Sequence, residues 1–155
     1  MQLQGYRELI SSFLDLMKRY KDISSIRIDE DKWTLKEMIG HLIDSASNNH
    51  QRFIRLQTDK EITFPYYDAE DWSKISKVND LDDEFLFSFW KHYNDFIIHL
   101  IENIDPENLN NEWKTSEGNK SLGFLVDDYF SHMKIHYAMY IERADEIISK
   151  IIKKN

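Results

Sequence analysis

The sequence contains no cysteine, which excludes disulfides, thiolate metal sites, iron–sulfur clusters and a cysteine nucleophile together. Only 4 glycines and 2 prolines punctuate its 155 residues. An all-β domain, which needs frequent turns, is therefore not expected. Long apolar runs are missing too. The greasiest stretch, Phe96-Ile97-Ile98-His99-Leu100-Ile101, is broken by a histidine and falls far short of the roughly 20 apolar residues of a membrane span. The opening MQLQGYRELISSF lacks the basic and apolar regions of a signal peptide, so a cytoplasmic location is expected. Positive charge is scarce, with 20 Lys and Arg against 28 Asp and Glu for a net −8. Nucleic acid and anionic membranes are unsuited to such a surface, although a local basic patch stays open. Absent as well are a Gly-rich phosphate loop, a Gly-x-Ser-x-Gly elbow, a His-Glu-x-x-His motif and the Glu-x-x-His pairs of di-iron bundles.

What is present suits one helical domain over residues 1–155. Apolar residues make up 41% and aromatics 14%, enough for a core without staples. Four blocks carry helical spacing. The first runs from about Leu3 to Asp22, and the second from near Trp33 to Gln57, with Thr34 and Glu37 forming a capping-box pattern. The third spans roughly Leu81 to Ile104, and the last Ser121 to Ile151. No strand is expected, and residues 59–80 and 107–120 read as loops. The first is longer than most connections in compact domains, a length often kept for function. An all-α four-helix bundle follows.

Two places carry chemistry. His132 and His136 lie four apart on the last helix, so both imidazoles can reach one cation. Spacing alone allows equally a pair of polar residues at a core margin. Both share an arc with Leu125, Tyr129, Met139 and Tyr140, opposite Asp127, Lys134 and Asp145, so they face inward or toward a cleft. On the second helix, His41 heads a polar stripe with Glu37, Asp44, Ser45, Asn48, Arg52 and Arg55. The apolar face opposite is made by Leu35, Ile39, Leu42, Ala46, Phe53 and Ile54. An ordinary solvated face is one reading of this stripe; a polar pocket is the other, since a solvated face usually carries Lys and Glu and this one is mainly His, Asp, Ser, Asn and Arg. His50, His92 and His99 have no evident third partner and read as core-margin or surface residues.

The run Trp33-Thr-Leu-Lys-Glu-Met-Ile-Gly-His41-Leu-Ile-Asp-Ser-Ala-Ser-Asn-Asn-His-Gln-Arg-Phe-Ile-Arg55 resembles the second helix of DinB-like (DinB/YfiT) proteins. Tyr67-Asp68 with Trp72, and Asp128-Tyr-Phe-Ser-His132-Met-Lys-Ile-His136, agree in order and spacing, so the resemblance covers nearly the whole chain. It implies a bundle of up-down-down-up arrangement, often a homodimer. It also implies a divalent metal, zinc or nickel among others, held by His41, His132 and His136. Ile135 stands where close relatives often carry a further histidine; that position is not a ligand in this scheme. Characterised relatives include transferases that join a low-molecular-weight thiol to an electrophile, so a metal-dependent S-transferase, or a related hydrolase, is the implied activity. A non-catalytic stress or binding protein keeping the bundle is the alternative.

Such a site leaves one or more coordination positions for water or substrate. Asp44 and Asp128, each one turn from a ligand, are candidates to orient an imidazole through its second nitrogen, with a helix-surface carboxylate without a role as the equal alternative. Asn48, Arg52 and Arg55 on the polar stripe, with Tyr67 and Trp72 from the long connection, are candidates to hold the substrate, the arginines by gripping a carboxylate. Imidazole must be neutral to bind metal, so affinity is expected to fall as pH drops through about 6.5.

Overall fold

The computed structural model describes residues 3–154; residues 1, 2 and 155 of the expected single domain lie outside the description. Its long helices are α1 (Leu3–Arg19), α2 (Leu35–Thr58), α4 (Asp83–Glu102) and α5 (Leu122–Lys154), with a short α3 (Ala69–Ser76) between the second and third of them. Helices α2, α3 and α4 begin where side-chain chemistry predicts. The Thr34 hydroxyl accepts the Glu37 N–H at 3.1 Å while Glu37 Oε2 accepts the Thr34 N–H at 2.8 Å, closing the capping box of α2. Asp68 and Asp82 cap α3 and α4 by accepting the N–H of Asp71 and Phe85.

Pairs of contacts fix the directions of the four long helices. Lys36 pairs with Asp83 and His50 meets Tyr93, so α2 and α4 run parallel. Arg143 donates to the Trp33 carbonyl while His41 meets His132, so α5 runs against α2. Arg7 pairs with Glu102 and Phe13 meets Trp90, so α1 is antiparallel to α4; Tyr6–Phe130 and Phe13–Tyr140 make α1 parallel to α5. The order is up-down-down-up, as the resemblance implied. Helices α1 and α2 each pack mainly on α4 and α5, so the two consecutive helices sit across a diagonal. Phe13, wholly buried, fastens this arrangement by meeting Trp90, Tyr137 and Tyr140 edge-on at 5.2–5.4 Å between ring centres.

Two expectations are corrected. The chain does contain strands: β1 (Glu61–Thr63) pairs parallel with β2 (Glu112–Lys114), which pairs antiparallel with β3 (Lys120–Ser121). Strands of two and three residues show no hydrophobic period, so pattern reading passes over them. The supposed loop at 59–80 is thereby ordered, holding β1, α3 and a 3₁₀ turn at Val78–Asp80. That turn presses on α2, where a Cβ on Gly40 would meet Val78 Cγ1 at 2.9 Å. The second correction is Ile54. It is 42% exposed rather than buried, because it lies one turn beyond half-buried His50 on the margin of α2.

Candidate metal centre

Helix α2 supplies His41, and α5 supplies His132 and His136 from one face. Because the two helices are antiparallel neighbours, the three rings converge. His132 Nε2 lies 3.4 Å from His41 Nε2 and 3.0 Å from His136 Nε2. One ligand atom from each residue falls within 4.8 Å of the others. Three nitrogens held about 2.0–2.1 Å from one tetrahedral cation stand about 3.4 Å apart, so the donor set fits a divalent metal. His41 and His136 are buried and His132 is half-buried, which leaves the approach on the His132 side.

Burial and mutual repulsion hold the rings neutral. Desolvation, then His136 and His132, push His41 down to about 3. Desolvation and His132 bring His136 to about 4. His132 is lowered by burial, against the opposing pull of Asp128. This moves the expected pH window: with all three imidazoles lowered by burial, the fall in metal affinity should begin below 6.5 rather than at it, and His41 and His136 contribute to it only as pH approaches 4.

The same shifts set the acid stability of the metal-free chain. Between about pH 4 and 6.5, unfolded histidines bind protons that the folded ones refuse, so stability falls as pH drops through this window. Asp44 works the other way, since burial raises it to about 6, but one carboxyl does not offset three imidazoles. The melting temperature of metal-free protein should fall more steeply over this range than that of the His41→Ala/His136→Ala variant. Equal slopes by thermal denaturation would count against buried neutral rings.

The candidates for orienting the ligands are placed differently from one another. Asp44 Oδ2 is buried with no hydrogen-bond partner, and so are Nδ1 of His41 and of His136. Asp128 is exposed, and among the described residues neither carboxylate hydrogen-bonds a histidine.

Beside His132 opens a cleft of about 220 Å³, walled by Arg52, Tyr66, Tyr67, Trp113 and Tyr129. Of the residues proposed to hold substrate, Arg52 and Tyr67 line it. Trp72 stands behind, its ring 4.7 Å from Tyr67. Asn48 turns to the Asp44 carbonyl, and Arg55 is exposed and donates to Gln51. A second cleft, of about 240 Å³, is lined by Trp33, Met38, Glu70, Met139 and Arg143. The Trp33 ring lies 5.0 Å from that of His41, so the two clefts flank the centre. His50 bonds Tyr93 and His92 bonds Ser88, both away from the centre.

Sequence reasoning missed Trp113, Asn49 and Lys120 in the first cleft and treated Trp33 only as a helix flank. Asn49, one residue from the polar stripe that was read, carried a weak signal. Trp113 carried none, since the small sheet alone brings it in.

No family model matches the chain. It is 26% identical over 132 residues to a Bacillus mycoides (strain KBAB4) protein named "Putative metal-dependent hydrolase", covering 80% of this chain and 74% of that one. A Bacillus cereus (strain B4264) protein of the same name matches to the same extent. In fold the chain matches YfiT from Bacillus subtilis, described as "a probable metal-dependent hydrolase with an unusual four-helix bundle topology". The TM-score is 0.78 at 16% identity, covering 94% of this chain and 87% of YfiT. The chain shares the four-helix-bundle fold of YfiT. No helix of the described residues is long and apolar enough to cross a membrane.

Proposed function

We propose that the chain is a metal-dependent enzyme of small molecules, in which His41, His132 and His136 hold one divalent transition cation, zinc or nickel. The observation that carries this reading is the convergence of three neutral imidazoles from two antiparallel helices at ligand spacing. A cation there supplies Lewis acidity and lowers the pKa of a nucleophile beside it. The protein does the rest. The buried rings stay unprotonated, and Tyr67, pushed up to about 12 by burial and then Asp44, keeps its phenolic proton to donate. Asp44 Oδ2, unpartnered and with a pKa of about 6, takes and returns a proton near neutrality. Asp44→Asn should lower turnover about 100-fold and remove an ionisation near pH 6 from kcat/KM, while metal affinity stays unchanged. An unaltered pH profile would exclude the role.

The names of the relatives support hydrolysis, with water as nucleophile. The two clefts support a second reading, because a transferase joining a low-molecular-weight thiol to an electrophile needs two seats around one centre. Metal-loaded protein incubated with activated esters and with alkylating electrophiles, each with and without added thiol, separates them. Thiol-independent ester cleavage supports the first, and a thioether product the second. Metal bound without either product leaves the non-catalytic binding or stress protein.

We also propose a homodimer. Phe85, Phe89 and Phe96 are 59%, 46% and 46% exposed along one side of α4, an apolar stripe of the kind that marks interfaces. Light scattering should give twice the chain mass, and Phe89→Glu should give the monomer. A monomeric wild type at micromolar concentration removes the claim.

A further inference from the structure

The first cleft contains a buried cation without a counter-ion. Arg52 is 8% exposed, yet among the described residues no carboxylate lies within ion-pair distance of it. Its Nε has no hydrogen-bond partner, and Nη1 has only a long 3.5 Å contact with Asn49 Oδ1. The guanidinium sits over aromatic rings instead: its Cζ lies 3.9 Å from the centre of the Trp113 ring and 5.4 Å from that of Phe64. Trp113 is fixed in turn by its indole N–H, donated to the Phe64 carbonyl at 3.2 Å. Burying a charge is costly unless it is paired, and among the described residues Asp128 is the only carboxylate that acts on this one, from beyond ion-pair distance. Around it stand Lys120, whose Nζ is 5.9 Å from the Trp113 ring centre, the phenols Tyr66 and Tyr67, and a single exposed acid, Asp128. Two cations against one acid make this cleft positive in a chain of net charge −8.

We infer that Arg52, stacked on Trp113, is the seat for a carboxylate of the substrate. Contact with Trp113 holds the fork in place and leaves its Nε edge, closed off from solvent, without a partner among the described residues. That edge offers two parallel N–H donors, the geometry a carboxylate accepts bidentately. Positions 41 and 52 differ by eleven residues, so they share a face of α2 while lying roughly 16 Å apart along its axis. The seat is therefore separate from the metal ligands, and it holds the far end of a substrate whose reacting bond lies at His132. A cleft of about 220 Å³ suits a ligand smaller than drug size. The assignment of the reacting end rests on the metal centre proposed above; the carboxylate seat does not.

Calorimetric titration of metal-free protein with propionate, glutarate, their amides and inorganic phosphate tests the seat. The carboxylates should bind, and the amides should not. Arg52→Met should weaken carboxylate binding at least tenfold. Asn49→Asp, which places a carboxylate of the chain beside the guanidinium, should do the same, and far-UV circular dichroism checks that each variant is folded. Zinc affinity should stay within twofold of wild type in both. Carboxylate binding undiminished in the folded variants, no carboxylate binding to wild type, or tighter binding of phosphate than of any carboxylate would overturn the inference. A wild type that binds carboxylate but no zinc would instead overturn the metal reading and leave the seat standing.

Discussion

Replacing His132 by Ala should abolish metal binding at any practical concentration. Its Nε2 is the common neighbour of the other two, 3.4 Å from His41 and 3.0 Å from His136, so its loss leaves a pair of imidazoles with no third donor between them. Changes to groups that merely orient a ligand cost about 10–100-fold in affinity, and the loss of a direct ligand is expected to exceed about 10³-fold. The fold should survive, because His132 is half-buried and its neighbours Met133 and Phe130 carry the core contact of α5. His50→Ala, His92→Ala and His99→Ala should bind as wild type does. The first two rings bond Tyr93 and Ser88, and all three lie away from the centre. Equilibrium dialysis against zinc checks the series; a loss confined to the His50 variant would place the site elsewhere.

The second large effect concerns the frame rather than the site. Phe13→Ala should destabilise the chain by about 3–5 kcal/mol, the usual cost of emptying a buried phenylalanine position. Phe13 is fully buried and its ring meets Trp90 of α4 and Tyr137 and Tyr140 of α5, so α1 loses its hold on both neighbours at once. Against a typical total of about 5–15 kcal/mol, this leaves little margin. A metal bound only by the folded chain restores part of it, about 2.7 kcal/mol at a free concentration of 100 times Kd. Chemical denaturation with and without zinc should show the deficit and its recovery. A deficit under about 1 kcal/mol would mean that the Phe13 cluster does not fasten the bundle.

How much of this was legible in the sequence depended on whether a residue's partner lay on its own helix. The capping box of α2 needs only Thr34 and Glu37, three residues apart, and it formed as read. The four long helices were visible because Ile10, Phe13 and Met17, and their like on α2, α4 and α5, repeat at helical spacing. The facing of His132 and His136 was likewise a property of one helix. Meeting His41 was not: its partners are 91 residues and more away, and only the family resemblance joined them. Arg52 was found on a polar stripe, but its burial was not, because α2 is packed by α4, α5, α3 and the small sheet rather than from one side. Trp113 was invisible for a related reason. Its place depends on a register with β1 and on Phe64, 49 residues earlier in the chain.

Metal content measured on the protein itself tests the central claim most directly. Purified wild type and the His132→Ala/His136→Ala variant, stripped and then offered zinc, nickel, cobalt and manganese in turn, are assayed for bound metal per chain at pH 7 and again at pH 5.5. Wild type should retain about one equivalent of at least one of these metals at both pH values, since burial lowers all three ligands and brings His41 to about 3 and His136 to about 4, and the variant should retain none. A wild type that holds none of the four, or a variant that holds as much as wild type, would contradict the account.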